Sequence, residues 1–309
     1  MKVLVLGGNG FIGSHILDKL LAAGHKVRVY DRAPEHFRAP NPKVDYRVGG
    51  FEDQISIAEA LVGIDVVVHC ISTTVPSTSM LDPVGDIQQN LIGTVNLLSL
   101  MEAQKVKKIV YLSSGGTVYG IPDVSPIVEE HPLRPISPYG LVKVAIENYI
   151  YMRHKNNGLE YTILRISNPF GPRQGHGGVQ GVIGTYLFKA SQGEPLQVWG
   201  DGSVVRDFIY IEDLANLITM SATENIDGTF NAGVGYGLSI ADIITKIKTD
   251  IAPDIEINYQ ESRGFDVPHV VLDNNKVSKA LSWKPETDFD TGIEKTWEWM
   301  KEYNAQQPG

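Results

Sequence analysis

The stretch KVLVLGGNGFIGSHILDKLLAAGHKVRVYD, from Lys2 to Asp31, constrains the fold of this chain more than any other. Lys2 to Leu6 reads as a strand, followed by a glycine-rich turn. An apolar helical period then runs from about Gly10 to Ala23, and Gly24 stops it. Val27 to Tyr30 reads as a second strand. A strand, a tight turn, a helix and a strand in close succession form a right-handed crossover unit, and such units build parallel sheets.

The alternation continues. Val44–Val48, Val66–Cys70, Ile109–Leu112 and Tyr161–Arg165 read as strands, and Ile55–Leu61, Asp86–Gln104 and Tyr139–His154 as helices. The expected class is α/β, a Rossmann-like doubly wound parallel sheet with ligands at the carboxyl ends of its strands. After NPFGPRQ (Asn168–Gln174) the pattern loosens, and glycine and proline become frequent. Phe208–Tyr210 with the helix after it reads as a return to the first domain. The expected division is a nucleotide domain of residues 1–171 plus about 208–236. Residues of about 172–207 and 237–309 form a smaller mixed α/β domain.

Gly7, Gly10 and Gly13, enclosing Phe11 and Ile12, form G-x-x-G-x-x-G between a strand and a helix. In that context the glycines let a pyrophosphate approach the backbone and the helix amino terminus. Asp31 ends the second strand, where a carboxylate accepts hydrogen bonds from an adenosine ribose and repels a 2′-phosphate. The expected cofactor is therefore NAD rather than NADP, with Arg32 softening the preference. Tyr139 and Lys143 lie one helical turn apart, so both can face that cofactor. A phenol is a poor base at neutral pH, and a nearby ammonium favours its phenolate. Such a pair exchanges a proton with a substrate hydroxyl as hydride moves.

Composition narrows the partners. The 309 residues carry a formal charge of −9, which argues against nucleic acid or an anionic membrane. The single cysteine, Cys70, sits in an apolar run and reads as a packed thiol in a reducing, cytoplasmic setting. No apolar run approaches the ~18 residues of a membrane span, and Met1 enters a strand with no signal-peptide pattern. His15, His69, His131 and His176 are scattered rather than set at metal spacing, so no metal is expected.

The chain resembles the extended short-chain dehydrogenase/reductases, specifically the NAD-dependent sugar-nucleotide epimerase/dehydratase family. The glycine turn, NLIGTVNLL with Asn90, SSGGTVYG, YGLVK, LRISNPFGPRQ, VWGDGSVVRDFIYIEDLA and LSWKPETDFDTGIEKTWEWM carry the resemblance, along essentially the whole length. It implies a UDP-sugar substrate, a likeness to the 4-epimerase branch, and a homodimer built on the helices around Asp86–Gln104 and Tyr139–His154. It implies cofactor contacts from Asn90 and substrate contacts from Asn168, from Val198 in PLQVWG, and from Arg206. Arg263 and Asp266 in RGFD would meet the pyrophosphate and the uridine ribose.

Three departures from that family sharpen the reading. The Ser/Thr three residues ahead of the valine of VYG is Gly115 here, leaving Ser114 and Thr117 as candidate hydroxyls. Gly116 and Thr117 stand where 4,6-dehydratases carry an acid and a base, and decarboxylases place a glutamate at Thr117; both reactions are disfavoured. Gly49-Gly50 replaces a Gly-Asp that touches adenine, so an adenine contact would fall to the Phe51 backbone or to Asp53. Val270 stands where galactose-specific relatives have a tyrosine, which implies room for an N-acetyl group. What remains is 4-epimerisation of UDP-GlcNAc/UDP-GalNAc and/or UDP-Glc/UDP-Gal, with a sugar-nucleotide ketoreductase or other sugar-nucleotide-modifying family member as the alternative reading.

Overall fold

The computed structural model describes residues 1–175, 181–262 and 267–306. Its centre is a seven-stranded sheet in the order β11-β6-β5-β4-β1-β2-β3, every neighbouring pair parallel. The strands are β1 (Lys2–Leu6), β2 (Lys26–Asp31), β3 (Asp45–Val48), β4 (Val66–His69), β5 (Lys108–Ser114), β6 (Glu160–Ile166) and β11 (Gly228–Ala232). The four residues of β4 and the first six of β5 are all buried, as a sheet covered on both faces requires. Helices α1 (Phe11–Ala22) and α8 (Ile211–Thr223) pack together on one face. On the other lie α2 (Gln54–Leu61), α5 (Gly93–Ala103) and α6 (Pro138–Asn157), which share a core cluster with that side of the strands. Strand order reverses between β1 and β4, so the ligand crevice opens there.

The expected helix Asp86–Gln104 is not one regular helix. α3 (Pro76–Ser79) and α4 (Pro83–Asp86) precede a π-helical segment, Ile87–Ile92, before α5 begins. The wide turn lets Asn90 turn its side chain toward Thr73, Thr74 and Asp86, a bond set an α-helical ladder does not read from sequence. Helix α6 starts as its residues dictate. Ser137 caps it by accepting from the Gly140 amide at 3.2 Å, and Pro138 takes the first turn, where its missing N–H costs nothing.

Beyond β6 the chain also builds a region of three small sheets outside the central one. β7 (Asn168–Phe170) pairs in parallel with β10 (Phe208–Tyr210). β8 (Leu196–Trp199) pairs with β13 (Ile257–Gln260), and β9 (Val205–Arg206) lies between β12 (Leu238–Ser239) and β14 (His269–Val270). Helices α7 (Val182–Gln192), α9 (Ile240–Asp250), α10 (Asn275–Leu281) and α11 (Phe289–Gln306) complete it. Among the described residues no helix is long and apolar enough to cross a membrane, and none groups three metal-ligating side chains.

Candidate active site

A cavity of about 640 Å³ runs from the glycine turn to the short strands β7 and β9. Gly7, Gly10, Phe11, Ile12 and Gly13 form one end, Ser114, Thr117, Tyr139 and Lys143 the middle, and Asn168 and Arg206 the far wall. Eleven of the residues singled out from sequence thus meet in one space.

The turn is built for close approach. A Cβ on Gly13 would stand 2.1 Å from the Gly7 carbonyl oxygen, and Gly7 holds φ +80, which side chains disfavour. Gly10, at the head of α1, offers no side-chain cap, so the first amides of the helix stay available to an anion. Asp31 braces this end, accepting from the Asn9 amide at 3.0 Å and the Ala33 amide at 3.2 Å. A dinucleotide with its pyrophosphate on the turn and a ribose at Asp31 fits these residues. Asp31, Arg32, Phe51 and Asn90 do not themselves line the cavity. The Phe51 ring is buried against His69 and under Gly93, so only its backbone is available to a ligand. The Asn90 amide is committed to Thr73, Thr74 and Asp86.

Tyr139 and Lys143 stand as the helical spacing requires, with the Lys143 nitrogen 5.4 Å from the Tyr139 ring centre and 4.9 Å from that of Tyr111. Lys143 is 6% exposed and donates to the Leu112 carbonyl at 3.0 Å. Burial pulls its ammonium down to about 8, opposed by the carboxylates of Asp86 and Glu147. Burial pushes the Tyr139 phenol up to about 12, opposed by the Ser72 hydroxyl and reinforced by Asp86. Burial thus favours the protonated phenol at neutral pH.

The absent side chain at position 115 has a steric cause. A Cβ on Gly115 would lie 2.4 Å from Leu272 and 3.1 Å from the Arg165 carbonyl oxygen. Gly116 lines the cavity instead, and a Cβ there meets nothing within 4 Å. Ser114 and Thr117 both line the cavity, and the Thr117 hydroxyl oxygen is buried with no hydrogen-bond partner. At Gly49-Gly50 a Cβ on Gly49 would strike the Tyr30 hydroxyl, which donates to the Gly50 carbonyl at 2.8 Å.

At the far wall, Asn168 donates to the Asp207 carbonyl at 3.0 Å and Arg206 donates to the Val267 carbonyl at 2.6 Å. Val198 is fully buried, while its neighbour Trp199, read from sequence as packing, is 46% exposed and lines the cavity. Val270 is buried with Val118, Tyr119 and Leu272 and does not line the cavity, so its size alone does not make room for a substrate. Arg263, Asp266 and His176 lie outside the described residues.

Sequence reasoning overlooked a buried polar layer behind the pair. Glu147, one turn beyond Lys143, accepts the Ser113 hydroxyl and two guanidinium nitrogens of Arg165, at 2.7 Å for the nearer. Arg165 also donates to the Tyr119 hydroxyl and the Glu129 carbonyl, each at 3.0 Å. The i+4 spacing of Glu147 from Lys143 was a readable signal; its partners on β5 and β6 were not.

Comparison with known proteins places the sequence and the fold in one family. The model of the NAD dependent epimerase/dehydratase family matches residues 3–233. A putative UDP-glucose 4-epimerase of Methanocaldococcus jannaschii is 36% identical over 310 residues, covering 98% of this chain and 99% of the relative. The UDP-glucose 4-epimerase of Thermotoga maritima, solved with UDP-glucose, superposes with a TM-score of 0.94 at 31% identity, over 98% of this chain and 100% of that one. The UDP-N-acetylglucosamine 4-epimerase of Methanobrevibacter ruminantium, solved with UDP-N-acetylmuramic acid, gives 0.92 at 29% identity over 99% of each chain.

Proposed function

Because the chain belongs to the NAD-dependent epimerase/dehydratase family, we propose that it inverts C4 of a UDP-hexose and that Tyr139, Lys143 and one hydroxyl of SSGGTVYG carry the proton chemistry. The chain is an NAD-using enzyme of the UDP-sugar 4-epimerase kind. The observation that carries the residue assignment is the meeting of the glycine turn, the Tyr139/Lys143 pair and Arg206 in a single cavity.

Gly7, Gly10 and Gly13 hold the cofactor's pyrophosphate, and Asp31 its adenosine ribose. When bound, NAD would supply a hydride acceptor and then a hydride donor. Tyr139 removes the O4 proton as C4 is oxidised and returns it from the same position after the 4-keto sugar has presented its other face. Lys143, charged, stabilises the phenolate that the buried site alone resists. Asn168 and Arg206 bind the diphosphate, which stays fixed while the sugar turns. A guanidinium suits that task through its paired donors. No residue at Gly116 or Thr117 can serve as the carboxylic acid of a dehydratase or decarboxylase.

The substrate range includes UDP-GlcNAc/UDP-GalNAc and UDP-Glc/UDP-Gal. Arg263 and Asp266 complete the nucleotide contacts in this reading. Homodimerisation is part of it as well: Leu141, Tyr149 and Met152 of α6 are 58%, 39% and 40% exposed, an apolar surface that a second copy would cover. The test is incubation of the purified protein with each UDP-sugar and assignment of products by NMR. Inversion at C4 with no net change in NAD is expected, and absence of inversion with every UDP-hexose defeats the reading.

A further inference from the structure

The stretch Ser113–Gly120 carries the candidate hydroxyls, Ser114 and Thr117, yet Gly115 and Gly116 lie between them. Glycine loses more conformational freedom on ordering than any other residue. A hydroxyl of this loop can serve Tyr139 only where that freedom has been removed. Within the loop the backbone holds itself in part. The Gly115 amide donates to the Ile166 carbonyl at 2.8 Å, and the Thr117 and Val118 amides donate to the Ser114 carbonyl at 3.4 and 3.2 Å. At its two ends the loop is held by side chains.

At the near end, the hydroxyl of Ser113, the next-to-last residue of β5, donates to Glu147. At the far end, the Tyr119 hydroxyl accepts from Arg165 at 3.0 Å and donates to Asn231 Oδ1 at 2.6 Å. Glu147 and Arg165 are each other's partners: the guanidinium Nε stands 3.2 Å from both carboxylate oxygens, and Nη2 stands 2.7 Å from Oε2. Both ends of the loop therefore meet in one buried ion pair. The same pair is joined to the helix that carries Tyr139. Glu147 takes the Ser113 hydroxyl, while Lys143, one turn earlier on α6, donates to the carbonyl of Leu112 at 3.0 Å. Two consecutive residues of β5 are thus pinned by two consecutive turns of α6. A buried ion pair carries a desolvation cost that well-packed apolar side chains avoid, so stability alone does not select this arrangement. Apolar side chains cannot, however, hold a hydroxyl at each end of a loop in fixed directions, as a planar guanidinium and its carboxylate do.

We propose that Glu147 and Arg165 are positioning residues of the reaction: their ion pair clamps the two ends of the SSGGTVYG loop, through Ser113 and Tyr119, and so holds the Ser114 and Thr117 hydroxyls in place in the cavity that Tyr139 lines. This rests on the epimerase reading. Neither Glu147 nor Arg165 lines the cavity, so both act through the loop.

The experiment releases one end of the loop at a time without stranding a buried charge. Ser113→Ala leaves Glu147 its guanidinium bonds, and Tyr119→Phe leaves Arg165 both Glu147 and the Glu129 carbonyl. Hydrogen exchange of the Ser113–Gly120 amides, followed by mass spectrometry on the ligand-free protein, is expected to quicken about two- to tenfold in either variant, the worth of one hydrogen bond. With the UDP-hexose that turns over, kcat is expected to fall about tenfold in each, since a misplacement of about 1 Å can cost about a hundredfold. KM is expected to stay unchanged, because the diphosphate contacts lie elsewhere. Glu147→Leu/Arg165→Met, which loses both anchors, is expected to be at least as slow. In a Ser114→Ala/Thr117→Val background, Ser113→Ala and Tyr119→Phe are expected to cost nothing further, because groups that act as a unit are not additive; a purely structural role would multiply the losses. If Tyr119→Phe fails to fold, Ser113→Ala carries the same predictions. Wild-type kcat in the clamp variants, multiplied losses, or a fully active Ser114→Ala/Thr117→Val enzyme overturns the proposal. If wild type inverts no UDP-hexose, the functional reading fails and the exchange rates decide the clamp: faster exchange of Ser113–Gly120 supports it, and unchanged exchange overturns it.

Discussion

The Lys143 ammonium donates to the Leu112 carbonyl at 3.0 Å, tying the reactive turn of α6 to the end of β5. That bond fixes the lysine from below, leaving its remaining two protons for the cavity side. It places the charge within reach of the Tyr139 ring without a direct ion pair. Helix α6 is itself anchored on its other side, because Ser79 accepts from the Tyr139 amide at 3.2 Å.

Removing either partner should stop the reaction without unfolding the protein. Tyr139→Phe keeps the ring and its packing, so loss of turnover by about 10²–10⁴, the usual value of a positioned acid–base group, is expected with an unchanged melting temperature. Lys143→Met should lose turnover to a similar extent. Steady-state epimerisation with calorimetry checks both, and a Tyr139→Phe enzyme that retains most of its activity would remove Tyr139 from the mechanism.

The sheet and the pair were legible in the sequence because each rests on local pattern. Apolar runs, a glycine turn and an i, i+4 spacing are written in consecutive residues. The π-helical turn at Asn90 was not, since it depends on bonds to Thr73 and Thr74 across some 17 positions. The reason for Gly115 was not legible either. It lies in Leu272, over 150 residues away, whose methyls fill the space a side chain would need. Val270 shows the converse: its small size invites a substrate argument, yet the fold turns it into the core.

The buried layer behind the site should be expensive to break. Glu147 and Arg165 meet at 2.7 Å with side chains 6% and 7% exposed. Glu147→Leu would leave the guanidinium buried without its carboxylate, and breaking such a pair costs about 3–5 kcal/mol. Denaturant unfolding should register that loss. Arg165→Met together with Glu147→Leu should recover much of it, because the pair's desolvation cost disappears with its attraction. A single variant within about 0.5 kcal/mol of wild type would contradict this account, since that is the range of changes away from such features.

Acid should destabilise the fold through two histidines. Burial lowers His15 to about 4 and His69 to about 3, both from an ordinary value near 6.5. His15 contacts the Pro172 carbonyl at 2.9 Å, and His69 contacts Thr94 at 3.0 Å. The folded pKa of each is depressed, so the unfolded chain binds protons first as pH falls. Their contribution is present above about pH 6.5 and lost progressively as pH falls toward the folded values. Unfolding at about pH 5 should therefore take up nearly two protons at these sites, and the difference in pH slope between wild type and His15→Gln/His69→Gln should account for them.

The Thr117 hydroxyl offers the sharpest separation of stability from function. Its oxygen is sealed from solvent and bonded to nothing in the protein, although the residue lines the cavity. An unmet buried hydroxyl costs about 1–3 kcal/mol, and replacing it by a methyl of the same shape relieves that cost. Thr117→Val should therefore raise the melting temperature of the ligand-free protein. If the hydroxyl finds its partner in the sugar O4 or the Tyr139 phenol once substrate enters, the same change should lower turnover at least ~10-fold, equal to about 1.4 kcal/mol of barrier. Ser114→Ala made in parallel decides between the two hydroxyls. A Thr117→Val enzyme that is more stable and fully active, beside a slow Ser114→Ala enzyme, would transfer the role to Ser114; full activity in both would leave Tyr139 without a hydroxyl from this loop.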